Sequence, residues 1–345
     1  MTGNKVLFKF NNFPLSVCTQ TGEISSKERL IEATIEEDKT GLITFLPFVD
    51  PKDIYLEQHN SSIGETWRNH NDKFANYVFQ NETESVVDVG GGSGNIYKSY
   101  IQYNQNIKWK IIDLNPTLED DRVELIRGLF DAKYISEGDT VITSHFLEHL
   151  ADLRGFLTNL RERNPKQHIF TLPNFKKYAQ NNYSATLMFE HPYYLTEDYL
   201  DYILASTGWK IEKKEYYKDH SIFFKTTPTT PQELDSRFDC SEDIITFLQY
   251  MQDRANEAKK LDKFYVFGAH FTYYYLINMG VGVNQIIAVV DNDPKKQGKR
   301  MYGTTTPTIS ANEMEEGASI FLEMGPYNEE IKKGIDKIKS NINYI

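Results

Sequence analysis

Cysteine is scarce in this chain: Cys18 and Cys240 are the only two in 345 residues. Two thiols exclude a disulfide framework and a four-cysteine zinc site. Net positive charge is missing as well, since 38 Lys and Arg stand against 49 Asp and Glu for a formal charge of −11. A chain of that sign lacks the electrostatic footprint for a phosphate backbone, so no nucleic-acid partner is expected. No apolar run approaches the roughly 18–20 residues that span a bilayer. The stretch Met1 to Phe13 lacks the apolar region of a secretory signal. These absences together predict a reduced, cytoplasmic protein without membrane insertion.

What is present is enough chain for two domains, with 40% hydrophobic and 25% charged residues, as in ordinary globular proteins. Tyrosine and phenylalanine are plentiful, at 22 and 21 residues. They fill cores, and clusters such as Tyr193 and Tyr194 also offer hydroxyls and faces to a polar ring. Short alternating runs at Val6–Phe10 and Gly41–Phe45 predict a small, mostly β module over residues 1–60. A helix is expected over 63–80, where Trp67, Phe74, Tyr77 and Val78 recur at helical spacing.

Residues 61–226 then alternate between the two periods. Strands are expected at Ser85–Val89, Lys108–Ile112, Asp139–Thr143 and His168–Thr171, with a helix from Leu147 to Glu162 and another at about 196–207. Strands near 209–217 and 220–226 complete the set. Alternation of this kind predicts a Rossmann-like, doubly wound parallel sheet. The run Thr226 to Pro231 reads as a linker. Residues 227–345 follow as a second, smaller Rossmann-like α/β domain, with a helix at about 241–259, a strand at Lys263–Phe267, a helix at 271–279 and a buried strand at Ile286–Val290.

Asp88, Gly90, Gly92 and Gly94 lie between the first strand and a helix, in the run Asp88-Val89-Gly90-Gly91-Gly92-Ser93-Gly94. Glycine lets the backbone turn sharply and a ligand approach closely. Asp113 ends the next strand, where an acid accepts hydrogen bonds from ribose hydroxyls. Together these mark an adenine-ribose cofactor. A pyrophosphate would be repelled by an acid at Asp88, whereas the cationic end of a ligand would not. The plainer alternative is a structural glycine turn with no ligand. Asp131, after Leu129 and Phe130, is a candidate for the adenine end or a solvated loop acid.

The D-x-G-x-G-x-G form resembles motif I of class I S-adenosylmethionine methyltransferases. With Ser144 to His149, Phe189 to Tyr194, the stretch Tyr55 to Ser62 and the C-terminal Asp291-Asn292-Asp293-Pro294, the chain resembles the sugar C-methyltransferases. These methylate nucleotide-linked 4-keto deoxysugars at carbon. The resemblance implies S-adenosyl-L-methionine as cofactor and a nucleotide sugar as substrate. It implies His191 as base, Glu190 as its partner and His149 as a second polar group near the reacting carbon. It places His59, Tyr193 and Tyr194 at the substrate.

The chain departs from that family in three places. The N-terminal zinc cysteines reduce to Cys18, so no metal is expected; His59 and His70 are not spaced with it as a closed site. Met188 and Phe189 stand where a tyrosine and a histidine are usual, and His59 stands where a tyrosine is. Methylation of a sugar oxygen or nitrogen therefore stays open, as does a catalytically silent homologue that binds a sugar nucleotide.

Overall fold

The computed structural model describes residues 4–16, 19–50, 64–234 and 236–345. Contacts gather the chain into two compact units: residues 55–174 with 195–238, and residues 1–54 with 175–194 and 239–345. The three successive segments expected from sequence are thus arranged as two bodies, each discontinuous in the chain.

The N-terminal strands are β1 (Lys5–Pro14), β2 (Thr19–Gln20), β3 (Leu30–Glu37) and β4 (Ile43–Leu46). Strands β1, β3 and β4 form an antiparallel sheet in that order. Ala33 and Ile35 on β3, and Ile43 and Phe45 on β4, alternate onto a buried face, as a period of two requires, and a register shift between Phe10 and Phe13 lets β1 bury both rings.

The unit containing residues 64–174 and 195–238 is built on a seven-stranded sheet. Its strands are β5 (Ser85–Val89), β6 (Lys108–Asp113), β7 (Val123–Arg127), β8 (Thr140–Ser144), β9 (Gln167–Pro173), β10 (Trp209–Tyr217) and β11 (Ser221–Pro228). The order across the sheet is β7-β6-β5-β8-β9-β11-β10. All neighbours are parallel except along β11, which runs antiparallel to both β9 and β10. The order reverses between β5 and β8, the place where open α/β sheets leave a crevice for ligands. β9 is buried along its whole length, the pattern of a central strand covered on both faces.

Helices flank this sheet at Glu65–Phe79, Asn95–Tyr100, Leu153–Glu162 and Glu197–Thr207. The expected helix from Leu147 begins six residues late. Residues Leu147–His149 form a single 3-10 turn, and the helix starts where the Asp152 carboxylate accepts a hydrogen bond from the Gly155 amide at 2.8 Å, a side-chain cap. The expected linker is partly strand. β11 pairs with β10 as far as Pro228 opposite Trp209, and the Gly208 carbonyl accepts from the Thr229 amide.

In the other unit the C-terminal residues supply β12 (Phe264–Phe267), β13 (Ile286–Val290), β14 (Lys299–Met301), β15 (Pro307–Ile309), β16 (Ser319–Phe321) and β17 (Asn343–Tyr344). Their sheet runs β17-β16-β12-β13-β15-β14-β2. β2, from the far N-terminus, closes one edge by antiparallel pairing with β14. Arg300 on β14 locks that edge. Its guanidinium donates to both Glu28 carboxylate oxygens, at 2.8 and 2.5 Å, and to the Gly22 and Glu23 carbonyls, each at 2.7 Å. The two side chains are 10% and 6% exposed, so the pair sits in a weakly screened setting.

The hydrogen bonds from Arg300 hold the Glu28 carboxyl down at about 2. Its contribution to stability is therefore full above the ordinary carboxylate range near 4.5 and is lost as pH falls towards 2. Glu28→Gln leaves the Arg300 charge uncompensated and should cost about 3–5 kcal/mol in urea unfolding near neutrality. The gap from wild type should narrow as pH falls below 4.5; a constant gap would show that the carboxylate charge is not what Arg300 needs.

Candidate active site

The site is built at the C-terminal edge of the β5–β11 sheet. β5 delivers Asp88 and Val89 and then turns through Gly90, Gly92 and Gly94, whose φ angles are 79°, 48° and 69°. Side-chain-bearing residues avoid this region. Gly90 has no room either: a Cβ there would lie 2.6 Å from Phe146 Cδ2, and one at Gly94 would lie 2.8 Å from Leu118 Cδ2. The glycines are thus required both by backbone conformation and by the closeness of the next layer.

Asp113, at the end of β6, holds this turn. One carboxylate oxygen accepts from the Gly92 amide at 3.0 Å and the other from the Asn115 amide at 2.7 Å. A carboxylate oxygen has a second accepting lone pair, so both oxygens keep capacity for a ribose diol. The turn and this acid therefore fit an adenosine-bearing cofactor.

Asp88 is 1% exposed and lies beneath the turn, close to Gly91. Its Oδ2 atom makes no hydrogen bond. Burial, with the Asp113 charge adding to it, pushes its carboxyl up to about 7. Asp131 caps the 3-10 turn Ala132–Tyr134, accepting from the Lys133 amide, and pairs with the Lys133 ammonium at 2.8 Å.

Ser144 ends β8, and the chain passes through His145 at φ 49° into the turn that carries Glu148 and His149. Glu148 is wholly buried, and burial raises its carboxyl to about 7. Its Oε1 lies 3.1 Å from His145 Nδ1, but neither carboxylate oxygen has a partner aligned as a hydrogen bond.

Three histidines meet here that the sequence gave no reason to group. His70 comes from the helix Glu65–Phe79, His145 from the β8 end and His220 from the residue before β11. One ring nitrogen of each lies within 4.8 Å of the others. Burial holds all three rings neutral, pushing His70 and His145 down to about 3 and His220 to about 2.

Glu190, His191, Tyr193 and Tyr194 belong to the other compact unit. Glu190 and His191 are each 7% exposed. The His191 amide donates to the Met188 carbonyl at 3.0 Å, and its Nδ1 lies 2.6 Å from the Ala185 carbonyl. The edge of His191 meets the Phe175 ring at a centroid separation of 5.4 Å. Tyr193 forms a β-bridge with Thr44 and packs on Phe48. Tyr194 is buried, and its hydroxyl donates to Asp243 at 3.3 Å. His59 lies outside the described residues.

Residues 62–214 match the family model described as a methyltransferase domain. This stretch is a methyltransferase domain. Its cofactor is S-adenosylmethionine. No curated protein matches the sequence. Similar solved structures include the mitomycin 7-O-methyltransferase, at 14% identity and a TM-score of 0.39 over 48% of this chain and 55% of that one. An O-methyltransferase family protein from Burkholderia thailandensis is 13% identical, with a TM-score of 0.39 over 47% and 56%. The magnesium protoporphyrin IX methyltransferase from Synechocystis PCC 6803, with bound SAH, is 12% identical, with a TM-score of 0.36 over 53% and 90%. The chain thus spans about half the length of the first two. Among the described residues no helix of the methyltransferase domain or of the rest of the chain is long and apolar enough to cross a membrane.

Asp113→Ala should weaken S-adenosylhomocysteine binding by about 1–3 kcal/mol, the scale of lost hydrogen bonds to a charged acceptor, or roughly 5–150-fold in Kd. Isothermal titration calorimetry reads this directly. Unchanged affinity would remove Asp113 from the cofactor site.

Proposed function

We propose that this methyltransferase acts on a nucleotide-linked keto-deoxy sugar and methylates it at carbon, with His191 as the base. The cofactor is held by Gly90, Gly92, Gly94 and Asp113, with Asp88 beneath the turn and Asp131 towards the adenine end. The observation that carries the reading is the 2.6 Å contact between His191 Nδ1 and the Ala185 carbonyl. A carbonyl oxygen only accepts, so Nδ1 keeps its proton and the lone pair of the neutral ring sits on Nε2. An imidazole fixed in one tautomer is suited to take a proton near neutral pH.

S-adenosylmethionine supplies an electrophilic methyl group on a sulfonium. The substrate carbon is the nucleophile, and the chain has to supply the base that unmasks it. His191 Nε2 removes the proton beside the ketone, Glu190 holds the base or a sugar hydroxyl, and His149 stands as a second polar group for the developing enolate. Tyr193 and His59 contact the sugar. Tyr194 supports them from within its own unit, since its hydroxyl is engaged by Asp243.

One observation favours a second reading, methylation of a sugar oxygen or nitrogen. Met188 and Phe189 are 4% and 3% exposed, and Phe189 packs edge-on against Phe13 and Phe271. Both positions serve the core of their unit and offer no hydroxyl or imidazole to a substrate.

His191→Asn should lower turnover by about 10²–10⁴, the usual worth of a general base, with cofactor affinity unchanged. Wild type should exchange the substrate α-proton with D₂O when S-adenosylhomocysteine replaces the donor. Mass spectrometry of products from dTDP-, GDP- and CDP-linked keto sugars identifies the acceptor. A product methylated on oxygen or nitrogen would end the carbanion reading, and full turnover by His191→Asn would end the role of that residue.

A further inference from the structure

The methyltransferase unit carries a second cluster of chemical groups that neither the glycine turn nor the Glu190–His191 pair uses. His70, His145 and His220 converge at the C-terminal edge of the sheet. They come from a helix, from the end of β8 and from the start of the reversed strand β11. One nitrogen of each lies within 4.8 Å of the other two. Tetrahedral ligation at the usual 2.0–2.1 Å needs nitrogens about 3.4 Å apart, so contraction by roughly 1 Å at the cluster centre is enough.

We propose that His70, His145 and His220 form a binding site for one divalent transition-metal cation of the Zn²⁺ or Co²⁺ class.

The orientation of the rings supports the site. His70 Nδ1 is held by Asn71 Oδ1 at 3.1 Å, and His145 Nδ1 stands 3.1 Å from Glu148 Oε1. Metal-bound histidines commonly have their remote nitrogen braced by an oxygen in this way. Their other nitrogens then turn inward. His70 Nε2 faces the Thr171 hydroxyl at 3.2 Å, and His145 Nε2 and His220 Nδ1 both face the Ser221 hydroxyl, at 3.1 and 2.6 Å. A cation would replace these two hydroxyls as the partner of the three ring nitrogens.

Two further observations point to a ligand. Glu148 is wholly buried, yet neither of its carboxylate oxygens has an aligned hydrogen bond. Such a group is costly without a positive charge nearby, and a cation bound through His145 supplies one. His145 itself sits at φ 49°, a conformation that disfavours a side chain and persists where surrounding structure demands it. The Trp67 ring lies edge-on to all three imidazoles, at centroid distances of 5.5, 4.7 and 4.8 Å. That apolar cover limits the water available to hydrate the rings.

Three nitrogen donors and an open fourth position suit zinc or cobalt rather than magnesium or calcium, which prefer oxygen. The expectation of no metal rested on the count of cysteines and on His59 and His70. Folding brings in two histidines that are remote in sequence.

The test uses untagged, chelator-treated full-length protein titrated with CoCl₂ and, separately, with ZnCl₂. One Co²⁺ per chain should bind, with the intense visible bands of a tetrahedral nitrogen-ligated ion. His145→Gln and His220→Gln should each abolish those bands, and Glu148→Gln should weaken affinity by about 10–100-fold, as loss of a bracing partner does. Circular dichroism and retained S-adenosylhomocysteine binding show that a variant is folded. If a histidine variant does not fold, the wild-type spectrum and the Glu148→Gln titration decide. No binding by wild type, weak octahedral bands, or bands that survive both histidine substitutions would overturn the site.

Discussion

The methyltransferase unit is organised by one pair of hydrogen bonds, from the Gly92 and Asn115 amides to the Asp113 carboxylate. The first joins the loop after β5 to the end of β6, and the second fixes the carboxylate from its own side. Of the three left-handed glycines, Gly92 gives its amide to that carboxylate, while Gly90 and Gly94 give theirs to the Ile112 and Gly91 carbonyls. The other unit repeats the device. Asp291, just after β13, accepts from the Ala269 amide and from the Asp293 amide, each at 2.8 Å. There the two part ways. Lys296 lies 3.3 Å from the Asp291 carboxylate and from the Ala269 carbonyl, and no second or third glycine follows Gly268. One fold element is used twice, and in the second a lysine lies against the acid.

The elements legible in the sequence are those whose signal is local. Ile286–Val290 is an unbroken apolar run between turn residues, and it is a strand to the residue. Asp88 to Gly94 followed by Asp113 announced strand, turn and strand, because glycine and the terminal acid have positional meaning. The helix over Glu197–Thr207 starts at Thr196, whose side chain accepts from the Tyr199 amide. The remaining elements carry no such local signal. β7 reads Val123-Glu124-Leu125-Ile126-Arg127 with little alternation, because it lies at the sheet edge with Leu125 exposed. The strands β14 to β17 have two or three residues each, too few to show a period. The pairing of Thr19–Gln20 with β14 depends on a partner almost the whole chain away.

The candidate site divides in the same way. Cofactor residues follow one another within a strand–turn–strand unit and could be read together. His70, His145 and His220 could not, since each stands alone in its own segment and the sheet order alone brings them together. The reversed direction of β11 is the cause. An antiparallel strand presents its first residues, not its last, at the edge where the parallel strands end. His220 and Ser221 therefore reach the same edge as Ser144 and Thr171, although they begin a strand.

The ties between Arg300 and Glu28 set a condition on biosynthesis. The two residues are separated by 272 positions, which at ribosomal speeds of about 5–20 residues per second means a wait of roughly 15–55 s. Through that interval the N-terminal strands exist without the sheet whose edge β2 closes. The intervening methyltransferase residues must emerge first. The unit that holds Glu28 and Arg300 is thus the last to be completed, and β2 is the strand that waits longest for its partner.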